Sequence, residues 1–155
     1  MNHNSMHPPT RPSVNRLAVR ATTHCMTGCA IGEVLGLVIA SAAGWESASS
    51  IVLAVALAFV FGYSLTMLPL LRSGMTFRMA SRLALLADTA SITLMEIVDN
   101  AIMLLIPGAM AAGLDTMVFW ASLTLSLLVA WVAAYPLNRW LIKRGGGHAV
   151  LHVHH

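Results

Sequence analysis

All nine Lys and Arg residues of the 155-residue chain fall in three short clusters: Arg11, Arg16 and Arg20; Arg72, Arg78 and Arg82; Arg139, Lys143 and Arg144. Long apolar runs separate the clusters, and the two remaining connections carry Glu46 and Asp115 but no basic residue. Short basic loops stay on the cytoplasmic side of a bilayer, so this alternation predicts an even number of crossings with both termini cytoplasmic. A content of 57% hydrophobic and 10% charged residues, with a mean hydropathy of +0.75, is too apolar for a soluble domain of this size. The expectation is an all-α, integral membrane four-helix bundle, multi-pass in the cell inner membrane.

Four stretches approach the ~20 residues needed to cross a hydrocarbon core: Cys25–Ala43, Ile51–Leu71, Leu83–Pro107 and Thr116–Leu137. The expected organisation is a disordered cytoplasmic tail over 1–21, a transmembrane domain over 22–144 and a flexible His-rich cytoplasmic tail over 145–155. Pro8, Pro9 and Pro12 oppose helix in the first tail. Thr22 or Thr23 is the expected cap of the first helix and Asp115 that of the fourth. Helix two is expected to run to Pro69, and Pro107-Gly108 to stop helix three. A basic leader before a short apolar run ending Ala40-Ser41-Ala42 has some character of a signal peptide. Glu33 at its centre suits a functional membrane helix better. The net charge of +3 comes from residues flanking membrane segments, where they meet the lipid bilayer, so no nucleic-acid role follows.

Ionisable groups at membrane depth mark the candidate site. His24 precedes Cys25, Cys29 and Glu33, which recur at intervals of four and line one helix face. Two thiols, an imidazole and a carboxylate make a ligand set suited to Cu(I) or Zn(II). The opposing reading is packing: small cysteines beside Gly28, Gly32 and Gly36, a small-xxx-small ridge that admits a close neighbour. Helix three holds Asp88, Glu96, Asp99 and Asn100 in an otherwise apolar span. Counted from Cys25 and Leu83 at 1.5 Å per residue, Glu33 is about 12 Å deep, Asp88 about 8 Å, and Glu96 and Asp99 about 20–24 Å. The result is a ladder of acids with no basic partner in the spans, which favours protons or a bound cation over salt bridges. His24, Cys25, Cys29, Glu33 and Asp88 are therefore the expected metal ligands, and Glu96, Asp99 and Asn100 an ion or proton path. Met26, Met67, Met95 and Met103 are thioethers within the spans, which pack flexibly as well as ligating soft metal. His3, His7, His148, His152, His154 and His155 are either metal-gathering or plain polar tails.

The string His24-Cys25-Met26-Thr27-Gly28-Cys29, an HCxxGC motif opening the first of four apolar helices, resembles a bacterial and archaeal family of small membrane proteins known only as a domain of unknown function. The resemblance covers about residues 22 to 155 and includes Ala87-Asp88-Thr89, Glu96 through Asn100, and Gly147-His148. It supports the choice of sites and lends no reaction. The functional expectation is binding and gradient-driven translocation of a transition-metal cation, coupled to protons, since the chain has no ATPase motif and no recognisable catalytic grouping. Two alternatives stand beside it: an accessory or assembly subunit of a larger membrane complex, and a thiol redox protein using Cys25 and Cys29. A homo-oligomer is expected, because four helices offer little enclosure for so many buried acids.

Overall fold

The computed structural model describes residues 13–144. The proline-rich segment through residue 12 and the His-rich tail from residue 145 lie outside the described residues, and with them His3, His7, His148, His152, His154 and His155. Four helices follow one another: α1 (Val14–Ala42), α2 (Ser47–Arg72), α3 (Phe77–Leu105) and α4 (Met117–Lys143). A short turn joins α1 to α2 and a longer connection over 106–116 joins α3 to α4 at one end of the bundle, while a short turn joins α2 to α3 at the other. Around the bundle α1 lies between α2 and α4, and α3 stands diagonally opposite it with sparser contact. Every basic residue from Arg16 to Arg144 falls near the end formed by the start of α1 and α3 and the close of α2 and α4. This is the basic end, and the opposite one is the far end.

Helix α1 begins eight residues before Thr22. Ser13 is its cap, accepting a hydrogen bond from the Arg16 amide at 3.4 Å, and Ala18 and Ala21 are buried against Ile142 of α4. Packing thus carries helix into Val14–Ala21, where the sequence pattern suggests tail. Thr22 sits inside the helix, its hydroxyl donating to the Ala18 carbonyl at 2.8 Å. The N-terminus of α1 is three turns from Cys25, beyond the first turn in which its dipole acts. Thr116, not Asp115, caps α4 by accepting from the Phe119 amide at 3.3 Å. Helix α2 continues past Pro69 to Arg72, and Gly44 and Gly74 take up the positive φ of the turns that close α1 and α2.

Small residues set the closest seam. Gly28, Gly32 and Gly36 of α1 meet Gly62, Ala58 and Ala54 of α2, and a Cβ added at Gly28 would stand 2.6 Å from the Gly62 Cα. At Gly32 the added atom would overlap the Ala58 backbone. Two antiparallel stripes of small residues at four-residue spacing let the backbones touch, where dispersion rather than hydrophobic burial holds membrane helices together. The buried face of α2 has the same spacing throughout, from Ser50 through Ala54, Ala58, Gly62 and Thr66 to Leu70.

Helices α1, α2 and α4 are long and apolar enough to cross a membrane. Helix α3 is as long as α1 and carries three acids, Asp88, Glu96 and Asp99. It is polar inside and apolar outside: Asp88, Ser91, Glu96 and Asp99 are buried, while Leu85, Leu86, Ile97, Leu104 and Leu105 are exposed. That is the reverse of a soluble amphipathic helix and suits a helix whose outer face meets lipid.

Candidate functional site

Because α1 and α3 run the same way and are equally long, residues at equal distance from their starts stand at equal height. Cys25 and Asp88 are each eleven residues beyond the start of their helix, and Glu33 and Glu96 each nineteen. At 1.5 Å per residue these are levels about 16 Å and about 28 Å along the bundle. The expected match of Glu33 with Asp88 rests on starting α1 near Cys25 and α3 near Leu83, whereas the helices start at Val14 and Phe77. With those starts, Asp88 pairs in height with Cys25, and Glu33 with Glu96. The expected site residues accordingly divide into two layers.

The lower layer is a chain of hydrogen bonds through all four helices. Asn138 of α4 donates to Thr22 of α1 and to Ser91 of α3, both at 2.9 Å. Ser91 bonds the Cys25 thiol, which in turn donates to Asp88 Oδ1 at 3.7 Å. Thr66 of α2 bonds Asp88 and also lies 3.0 Å from His24 Nε2. Asp88, Ser91 and Cys25 are all fully buried. This layer ties the helices together and fills the bundle on its basic side.

Thr22, Thr66, Ser91 and Asn138 are the members that the sequence does not single out as a group. Their only signal is a polar residue on the small-residue stripe of an apolar helix, as with Thr66 between Gly62 and Leu70, or Asn138 between Ala134 and Ile142.

The upper layer is built differently. Glu33, Glu96 and Asp99 are each only 4% exposed and stand close enough to act on one another, with Glu33 facing Asp99. Cys29 lies beside Glu96 and Ser126 beside Asp99. Both carboxylate oxygens of Glu33 and of Glu96, and Oδ1 of Asp99, have no hydrogen-bond partner among the described residues. Asn100 turns aside, donating to the Glu96 carbonyl one turn back at 2.9 Å, although it still borders the cavity described next.

Glu33 and Asp99 form the floor of a cavity of about 220 Å³ that runs to the far end. Its walls combine apolar side chains, including Leu37, Ile51, Met103, Phe119 and Leu123, with Ser41, Ser47, Ser50 and Asn100. The α1–α2 turn at Trp45 and the α3–α4 connection through Ala109–Leu114 surround its mouth. Three buried carboxylates without a basic partner are costly, about 2.5–3.5 kcal/mol each on insertion scales if charged at the membrane centre. They persist only if protonated, hydrated or bound to a cation.

The five expected metal ligands are not gathered at one point. His24 is committed to Thr66, Cys25 to Asp88, and Cys29 to the upper layer beside Glu96. Among the described residues no group of three or more His, Cys, Asp or Glu side chains is disposed to hold a metal ion. Both cysteines are free thiols and buried.

The fold, its apolar outer surface and its buried acids define an all-helical membrane protein. The family described as a domain of unknown function, DUF4396, matches residues 15–147, and the chain belongs to that family. No curated protein and no solved structure matches the chain.

Proposed function

We propose that this is a cation carrier of the cell inner membrane, multi-pass with both termini cytoplasmic, in which Glu33, Glu96 and Asp99 exchange a cation for protons. One observation carries the reading: the buried acids Glu33 and Asp99 line the inner part of a cavity at one end of the bundle, and a hydrogen-bonded layer lies between them and the other end. A cavity that reaches buried acids from one end, with a bonded layer beneath them, is an arrangement a carrier uses in one of its states. The positive-inside rule supports placing the basic end in the cytoplasm and the cavity mouth outside. Any movement draws on a gradient.

The polar face of α3 is turned into its own bundle, which favours a carrier over an assembly subunit whose polar face would wait for a partner helix. The burial of Glu33, Asp88, Glu96 and Asp99 inside one chain calls for no second copy. The Cu(I) or Zn(II) version of the reading draws support from two thiol–carboxylate pairs, Cys25 with Asp88 and Cys29 with Glu96. Each pair supplies two ligands where structural sites use four.

The test is proteoliposomes containing a pH-sensitive dye, challenged with Na⁺, K⁺, Zn²⁺, Cu(I) and organic ammonium ions. A carrier moves protons when at least one cation is supplied, and Glu33→Gln abolishes the signal. Wild-type protein that moves no protons with any of them would overturn the reading.

A further inference from the structure

Resting on the carrier reading, the question becomes which cation the far-end cavity takes. Glu33 and Asp99 lie at its floor, and three of their oxygens, Oε1 and Oε2 of Glu33 and Oδ1 of Asp99, are buried without a hydrogen-bond partner among the described residues. A primary ammonium group has three N–H donors and no acceptor. Charge and polarity agree.

The space above the acids selects further. A volume of about 220 Å³ is about seven times the ~30 Å³ that a water molecule takes up in the liquid. An inorganic ion would leave most of it to water. Hard cations also want six or more oxygen ligands, and no group of three metal-binding side chains exists among the described residues. A proton alone needs no chamber. Apolar and aromatic walls with a few convergent polar groups are the ordinary form of a small-molecule site. Leu37, Ile51, Met103 and Phe119 would receive an apolar body, and Trp45 stands at the rim with half its surface exposed, where it can cover the ligand.

We infer that the far-end cavity is a binding site for a small organic cation, a primary amine with an apolar body, whose ammonium group is held by Glu33 and Asp99. The amine enters as its ammonium form, and each one bound displaces a proton from the acid cluster. Lower pH therefore competes with binding.

Calorimetry on the full-length protein in detergent, with phenylethylamine beside its neutral analogue phenylethanol, provides the test. Saturable binding of the amine is expected, with at least tenfold weaker binding of the alcohol, at least tenfold loss in Glu33→Gln, and weakening as pH falls. Thermal melting confirms that the variant folds. If Glu33→Gln does not fold, Asp99→Asn and the pH competition decide the matter. Equal binding of amine and alcohol, or a folded Glu33→Gln that binds the amine as wild type does, would overturn the inference. Amine binding without proton movement in proteoliposomes would remove the carrier reading and leave the site. Glu33-dependent proton movement driven by Na⁺ or Zn²⁺, with no amine binding, would remove the site and leave the carrier.

Discussion

Two levels of the same bundle handle buried polarity in opposite ways. At the level of Cys25 and Asp88, seven side chains from four helices use one another as donor and acceptor. About two turns further, at the level of Glu33 and Glu96, the same helix pair presents carboxylates whose nearest donors are only the Cys29 thiol and the Ser126 hydroxyl, with a cavity above them. Polar groups satisfied inside a membrane specify which helices meet and in what register. Acceptors left unsatisfied at a cavity floor carry a cost that only a ligand or a proton removes. The lower layer is thus the brace, and the upper one is where the proposed exchange would take place.

The most severe way to break this contrast is to force the levels apart at once. Gly32 lies between Cys29 and Glu33, and its Cα faces the Ala58 backbone with no space for a side chain. Gly32→Val is expected to prevent α1 and α2 from docking, seen as loss of a monodisperse peak in detergent chromatography. A well-folded Gly32→Val would mean that the seam is looser than the glycine stripe implies.

Next in size is a dissociation of activity from stability. Glu33→Gln should lower cation-driven proton movement at least tenfold while its melting temperature stays at or above that of wild type, because a buried carboxylate without partners is replaced by a neutral group that can donate. A fall in melting temperature with activity intact would reverse the assignment of the two layers.

Asn138→Ala should show the opposite pattern. It removes two hydrogen bonds between α4 and its neighbours, and with interhelical bonds worth roughly 0.6 kcal/mol on average in a bilayer the loss should be about 1–2 kcal/mol in unfolding free energy. Half-saturation for the transported cation should be unchanged. A shift in that constant without destabilisation would place Asn138 in the exchange path.

The smallest expected effect is at the basic end. The Arg144 guanidinium stands 4.2 Å from the centre of the Trp140 ring, and such an exposed contact contributes about 0.5–1 kcal/mol. Arg144→Ala should lower stability by no more than this and leave both layers untouched, as measured by melting and by proton movement together. A larger effect would show that the brace extends to the helix end.

Much of this was legible in the residues. The three basic clusters and the apolar runs between them are enough for four helices in antiparallel order, and the intervals of four from Cys25 to Glu33 are enough for a shared face. The small-residue ridge of Gly28, Gly32 and Gly36 is visible as a contact surface, though not that its partner is the Ala54, Ala58 and Gly62 stripe. Helix starts were the weak point. Ser13 and the packing of Ala18 and Ala21 on α4 extend α1 by eight residues, and that extension, with α3 starting at Phe77, moves Glu33 from the level of Asp88 to that of Glu96.

What the sequence alone determined is therefore the class of molecule and the inventory of intramembrane groups, because hydropathy, charge asymmetry and periodicity are local properties of the chain. Tertiary structure decided the rest: which groups neutralise one another, and which face a cavity. Thr66, Ser91 and Asn138 become parts of one network only when three helices converge on Asp88 and Cys25. The cavity above Glu33 and Asp99 exists only because the α1–α2 turn and the α3–α4 connection come together at the far end. Hydrogen bonds and empty volume are relations between segments distant in the chain, and no single segment encodes them.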